Sequence, residues 1–79
     1  MVWIELVDAS GDEVVYDYMP ELRTADRGRL SVNKETRERR IIKKSKDDWW
    51  SEYHGHAWHR MDKMIDEDVY PQETCVAWH

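Results

Sequence analysis

The stretch Val2-Trp3-Ile4-Glu5-Leu6-Val7-Asp8-Ala9-Ser10-Gly11-Asp12-Glu13-Val14-Val15-Tyr16-Asp17-Tyr18-Met19 decides the fold. Val2, Ile4 and Leu6 alternate with Trp3, Glu5 and Val7, the period of two that sends one set of side chains to each side of a strand. Val14, Tyr16 and Tyr18 repeat that alternation on the far side of Asp8 to Asp12, a segment with turn chemistry in which Gly11 is free to take positive φ. The pattern predicts two strands joined as a hairpin. Pro20 has no amide hydrogen and ends the second strand, and Glu21 to Arg27 reads as an irregular connection closed by Gly28.

Working outward, Leu30 and Val32 open a third strand. Asn33-Lys34-Glu35-Thr36 is a polar turn, and Arg37 to Lys43, with Ile41 and Ile42, returns as a fourth strand. Ser45 three residues ahead of Asp48 is a variant of the capping box, which places a helix start near Lys46. At 100° per residue, Trp50, Tyr53, His54, Ala57, Met61, Met64 and Ile65 gather into one arc with Trp58 at its edge. That arc is the face expected to pack on the sheet. Gly55 in the helix interior costs about 1 kcal/mol relative to Ala, which points to a bulky neighbour crossing closely. Asp66 to Asp68 and then Pro71 end the helix, and Thr74 to Trp78 reads as a fifth strand. The order ββββαβ predicts a single α+β domain over residues 1–79, a small antiparallel sheet with one helix packed across one face.

The charge is segregated along the chain. Ten of the twelve Lys and Arg residues lie between Arg23 and Lys46, and the flanking segments are acidic, giving about −6, +7 and −6 within a net charge of −5. A net negative chain is a poor partner for nucleic acid or anionic lipid unless it keeps a local basic face. The five Trp and four Tyr supply large buried areas to a short chain that has no Phe. The amino-terminal stretch carries Glu5 and Asp8 and no basic run, and no apolar run approaches the roughly 20 residues of a membrane span. A lone Cys75 rules out an intramolecular disulfide and suits a reducing compartment. The expectation is a cytoplasmic protein without a membrane association.

Four features bear on function. The first is acidic: if Asp8, Asp12, Glu13 and Asp17 join Asp62, Asp66, Glu67 and Asp68 on one surface, their field attracts a basic cleft on another protein. The second is the supply of indoles. Trp3 falls on the sheet face opposite Val2 and Ile4, Trp49 lies off the helix core arc, and Trp58 is at its edge, so these are candidate anchors for a partner or for a homodimer. The third is the basic hairpin 29–46, whose Arg37, Arg39, Arg40, Lys43 and Lys44 match phosphate oxygens. Between Arg23 and Lys46 there is no aromatic residue on which bases stack, so this hairpin offers electrostatic contacts alone.

The fourth feature is histidine. His56 and His59 are three apart, with Glu52 four before His56, but His54 points to the core side, so three imidazoles do not meet on one metal. A site from Cys75, His79 and a helix histidine requires the last strand to return to that point. No metal or cofactor is expected. No phosphate-binding glycine loop, nucleophile elbow or paired zinc cysteines are present, and Asp17, His54 and His56 are not brought to one point by spacing, so no enzyme is expected.

The reading is therefore a non-catalytic protein–protein interaction domain, with Trp3, Asp17, Trp49, Trp58, Asp62, Asp66, Glu67 and Asp68 facing the partner. In size and charge it resembles small inhibitors of phages and mobile elements, including nucleic-acid mimics and immunity proteins, an analogy that implies an antagonist role. The alternatives are a nucleic-acid-binding domain using the basic hairpin, and a small metal-binding protein using the helix histidines.

Overall fold

The computed structural model describes residues 1–21, 26–48 and 52–77, with Glu52 described in its backbone alone. Five strands and one helix follow in the order β1 (Val2–Asp8), β2 (Glu13–Pro20), β3 (Gly28–Asn33), β4 (Arg39–Lys43), α1 (Glu52–Glu67) and β5 (Glu73–Val76). The strands form one sheet ordered β4-β3-β2-β1-β5 with every neighbouring pair antiparallel. This is the α+β arrangement expected from the sequence.

Alternation explains the layers. Val2 and Ile4 of β1, Val14, Tyr16 and Tyr18 of β2, and Leu30 and Val32 of β3 are fully buried against Ala57, Met61 and Met64 of α1. Tyr53, Trp58 and Ile65 complete the helix face as partly buried neighbours of this core, so the predicted arc packs where expected. Trp50 lies outside the described residues. β5 returns after the helix to pair with β1, Val2 facing Val76 and Ile4 facing Thr74.

Several local expectations give way. The turn between β1 and β2 uses no left-handed glycine; Asp8 instead accepts hydrogen bonds from the backbone N–H and the hydroxyl of Ser10. The β3–β4 loop is longer than four residues because Arg37 adopts φ 63°, so the fourth strand begins at Arg39 rather than Arg37. Asn33 organises this loop, its side chain accepting from the amides of Glu35 and Thr36 and its carbonyl from that of Arg37. Residues 46 and 47 form a turn closed by Asp48 N–H to Ser45 O at 3.2 Å, and the helix is described from Glu52, not from Lys46. The Ser45 hydroxyl does not cap that helix; it donates to Asp26 O and accepts from Asp47 N–H. β5 spans Glu73–Val76 where Thr74 to Trp78 was expected, and Trp78 lies outside the described residues.

The close approach expected at Gly55 occurs at Gly28 instead. A Cβ at Gly55 meets nothing within 4 Å, whereas one at Gly28 falls 2.0 Å from Cε1 of Tyr18, its register partner on β2. The missing side chain lets the Tyr18 ring lie across the first residue of β3. At the other end of α1, Asp68 takes φ 54° and the chain closes with Val69 N–H to Met64 O and Asp68 N–H to Ile65 O. That is the two-bond termination usually made by glycine.

Candidate interaction surface and the buried polar network

The positive charge of the central segment is largely met by carboxylates of neighbouring elements. On the face of the sheet away from α1, Arg29 holds Asp17 through two contacts at 2.7 and 3.4 Å, and Arg27 reaches Glu5 at 2.8 Å. Arg40 faces Glu13 at 3.5 Å on the same side, and Lys43 faces Asp26 at 3.6 Å. On the helix side, Arg37 binds Asp66 and Arg39 binds Asp62, each at 2.6 Å. Lys34 donates to the carbonyl of Ala9 and stands over the Tyr70 ring. No ion pair among the described residues includes Lys44. Exposed pairs of this kind are worth about 0–1 kcal/mol each, so they tie the hairpin down weakly while cancelling much of its field. Asp17 is the exception in burial, with its side chain 12% exposed.

The acids do not form one surface. Glu13 and Asp17 alternate with Val14, Tyr16 and Tyr18, which face the helix, so they project from the opposite side of the sheet to Asp62 and Asp66. Glu67 and Asp68 are exposed at the end of α1. The single acidic face expected from the sequence is therefore replaced by carboxylates on opposite sides of the sheet, of which Glu13, Asp17, Asp62 and Asp66 already face arginines.

The indoles are placed differently from one another. Trp3 stands on the sheet face away from α1, half-buried, between its register partners Met19, which is fully buried, and Cys75. Trp58 belongs to the core edge: its ring meets His54 edge-on at 4.9 Å, the Arg39 guanidinium lies 5.8 Å from its centre, and its Nε1 is buried without a hydrogen-bond partner among the described residues. Trp49 lies outside the described residues.

Beneath the helix a polar network joins three elements. The Tyr18 hydroxyl accepts from Ser45 N–H at 3.0 Å and donates to Asp48 Oδ2 at 2.9 Å. His54 Nδ1 lies 2.5 Å from the same oxygen. Asp48 is 1% exposed and His54 8%. Burial, and then the neighbouring carboxylate, push the Tyr18 hydroxyl up from its ordinary value of 10.0. The carboxylate holds the imidazole by one nitrogen, as orienting acids do for histidines elsewhere. Asp48 Oδ1 is buried with no hydrogen-bond partner among the described residues. Spacing alone does not connect Asp48 with His54, because the chain turns at 46–47 where the capping pattern predicts helix. A usable signal was Tyr18 itself: an inward-facing tyrosine requires a partner for its hydroxyl.

The helix histidines diverge as expected, His54 inward and His59 exposed. Among the described residues no group of three His, Cys, Asp or Glu side chains is close enough to hold a metal ion. Cys75 is exposed on β5, and His79, its proposed companion, lies outside the described residues.

The feature that sequence reading passed over is the edge of the sheet. β4 is the terminal strand, and all five of its residues are exposed. Ile41 and Ile42 are 43% and 50% exposed. The register slips between Arg29 and Leu30 of β3, pairing Leu30 with Ile41 and Arg29 with Lys43, so Ile42 is the extra residue of a bulge. Two β-branched apolar neighbours in water on an open edge are unusual, since edges are commonly blunted by charge. No helix among the described residues is long and apolar enough to cross a membrane. No protein-family model, no curated protein and no solved structure matches this chain.

Proposed function

We propose that this domain is a non-catalytic protein-interaction module that engages its partner through the free edge of its sheet. The observation that carries the reading is the exposed pair Ile41 and Ile42 on β4. Full burial of an isoleucine side chain is worth about 1.5–3 kcal/mol, and a large part of that remains unrealised at both positions until a partner covers them. Asp17, Asp62 and Asp66 are engaged with arginines of the same chain, which favours the strand edge over these carboxylates as the contact surface. An inhibitor or antagonist role within this class rests on small size and the net charge of −5.

The nucleic-acid reading has less behind it. Of its five cations, Arg37 and Arg39 are held at 2.6 Å by carboxylates of the helix, and the hairpin carries no aromatic side chain on which bases stack. Direct phosphate binding also predicts affinity that falls steeply with salt. The deciding experiment places a photo-cross-linking residue at position 42 of the full chain, with position 36 at the hairpin tip as control. Repeated capture of the same protein from position 42 and not from 36 is expected. Capture of nucleic acid, or of nothing across repeats, overturns the reading.

A further inference from the structure

We infer that the occupant of the β4 edge is an extended acidic segment of another protein, which adds to the sheet as a sixth strand. This rests on the interaction reading and identifies the chemistry of the partner. Three observations lead to it.

First, the edge is available and its opposite is not equivalent. β4 and β5 are the two terminal strands. β5 is four residues long, and its exposed members are Glu73 and Cys75, whereas β4 exposes Ile41 and Ile42. An added strand gains main-chain hydrogen bonds along the outer side of β4, and its alternate side chains set specificity.

Second, the charges on that edge select the incoming strand. Arg39 and Arg40 precede the isoleucine pair, and Lys43 and Lys44 follow it. Their contacts within the chain run inward, to Asp62 on the helix, Glu13 on β2 and Asp26 beside the 44–48 turn. The latter two, at 3.5 and 3.6 Å, are loose. A guanidinium has five N–H donors, so a single carboxylate on its inner side leaves the outer donors free. A partner strand with acids flanking an apolar centre meets all four cations and both isoleucines.

Third, the same charges reject the simplest competitor. A second copy pairing β4 against β4 would bring Arg and Lys side chains within cross-strand distance of their own kind, where like charges destabilise. Charge therefore works here by exclusion as well as attraction.

The test uses the full chain and three synthetic peptides of roughly ten residues, a usual strand length: a Val–Glu peptide with Glu residues flanking a Val centre, a Val–Lys peptide with Lys in their place, and the Val–Glu peptide interrupted by proline. Amide correlation spectra map where each binds, and fluorescence anisotropy measures affinity. The expected result is that shifts centre on Arg39 to Lys43, the Val–Glu peptide binds about tenfold or more tightly than the others, and the difference shrinks as salt rises. Replacing Ile41 and Ile42 together by Thr, which keeps strand propensity, should weaken binding by roughly tenfold. The pair Arg40→Glu and Lys43→Glu should reverse the preference toward the Val–Lys peptide. Equal affinity for both charged peptides, shifts centred on Trp3, or self-association through β4 each overturn the inference. If cross-linking at position 42 still captures a protein while the Val–Glu peptide leaves β4 unshifted, this inference falls and the interaction reading stands.

Discussion

Asp48 Oδ2 lies 2.5 Å from His54 Nδ1 and 2.9 Å from the Tyr18 hydroxyl, so one buried carboxylate oxygen ties β2, the turn after β4 and the helix together. Removing the acid leaves two buried polar groups without their partner, which costs the desolvation of each. Asp48→Ala is expected to destabilise the domain by roughly 3 kcal/mol, and Tyr18→Phe by about 1–2 kcal/mol. The two losses should fall short of additive when combined, since both variants break the same contact. Urea unfolding of the two single variants and the double variant measures the coupling.

The glycines separate packing from propensity. At Gly28 an added methyl falls on the Tyr18 ring, so Gly28→Ala should cost about 1–3 kcal/mol through overpacking. At Gly55 nothing stands in the way, and Gly55→Ala should stabilise by about 0.5–1 kcal/mol. Thermal unfolding of both variants checks the opposite signs.

Asp68 carries a left-handed backbone and a negative charge at the carboxyl end of α1, both unfavourable there. Asp68→Gly keeps the two closing hydrogen bonds and relieves both, with a gain of about 0.5–1 kcal/mol after loss of its contact with Tyr70. Chemical denaturation would reveal the gain as a raised midpoint with unchanged slope.

Alkali should unfold this protein partly through Tyr16. Its hydroxyl donates to Pro71 O, and burial raises it from 10.0 to about 12. The unfolded chain ionises first, so the stabilising contribution is complete below pH 10 and is lost as pH rises toward 12. Tyr16→Phe should be less stable at neutral pH yet show a shallower loss across that window. Unfolding followed at a series of alkaline pH values tests the sign.

Acid acts through Asp26, whose carboxyl is held below its ordinary 3.8 chiefly by the backbone N–H of Lys46. Its contribution is present above pH 3.8 and fades as pH falls through the lower folded value. Asp26→Asn should flatten the acid side of the stability curve, as measured by unfolding between neutral and strongly acidic pH.

Much of this architecture was legible in one dimension. Alternation at Val2, Ile4 and Leu6 and at Val14, Tyr16 and Tyr18 determined two strands and the side each buries, because a strand reverses its side chains at every residue. The helical arc around Ala57, Met61 and Met64 did the same for α1. Tertiary structure alone decided which carboxylate meets which arginine, since Arg39 and Asp62 stand 23 positions apart and no periodicity relates them. It also decided that Gly28 rather than Gly55 lies beneath a neighbour, and that Asp48 turns under the helix instead of starting it. Most consequentially, Ile41 and Ile42 read as ordinary strand residues until the strand order placed β4 at the rim. Whether a strand is inner or outer depends on which others pair with it, and that follows from the packing of the whole chain.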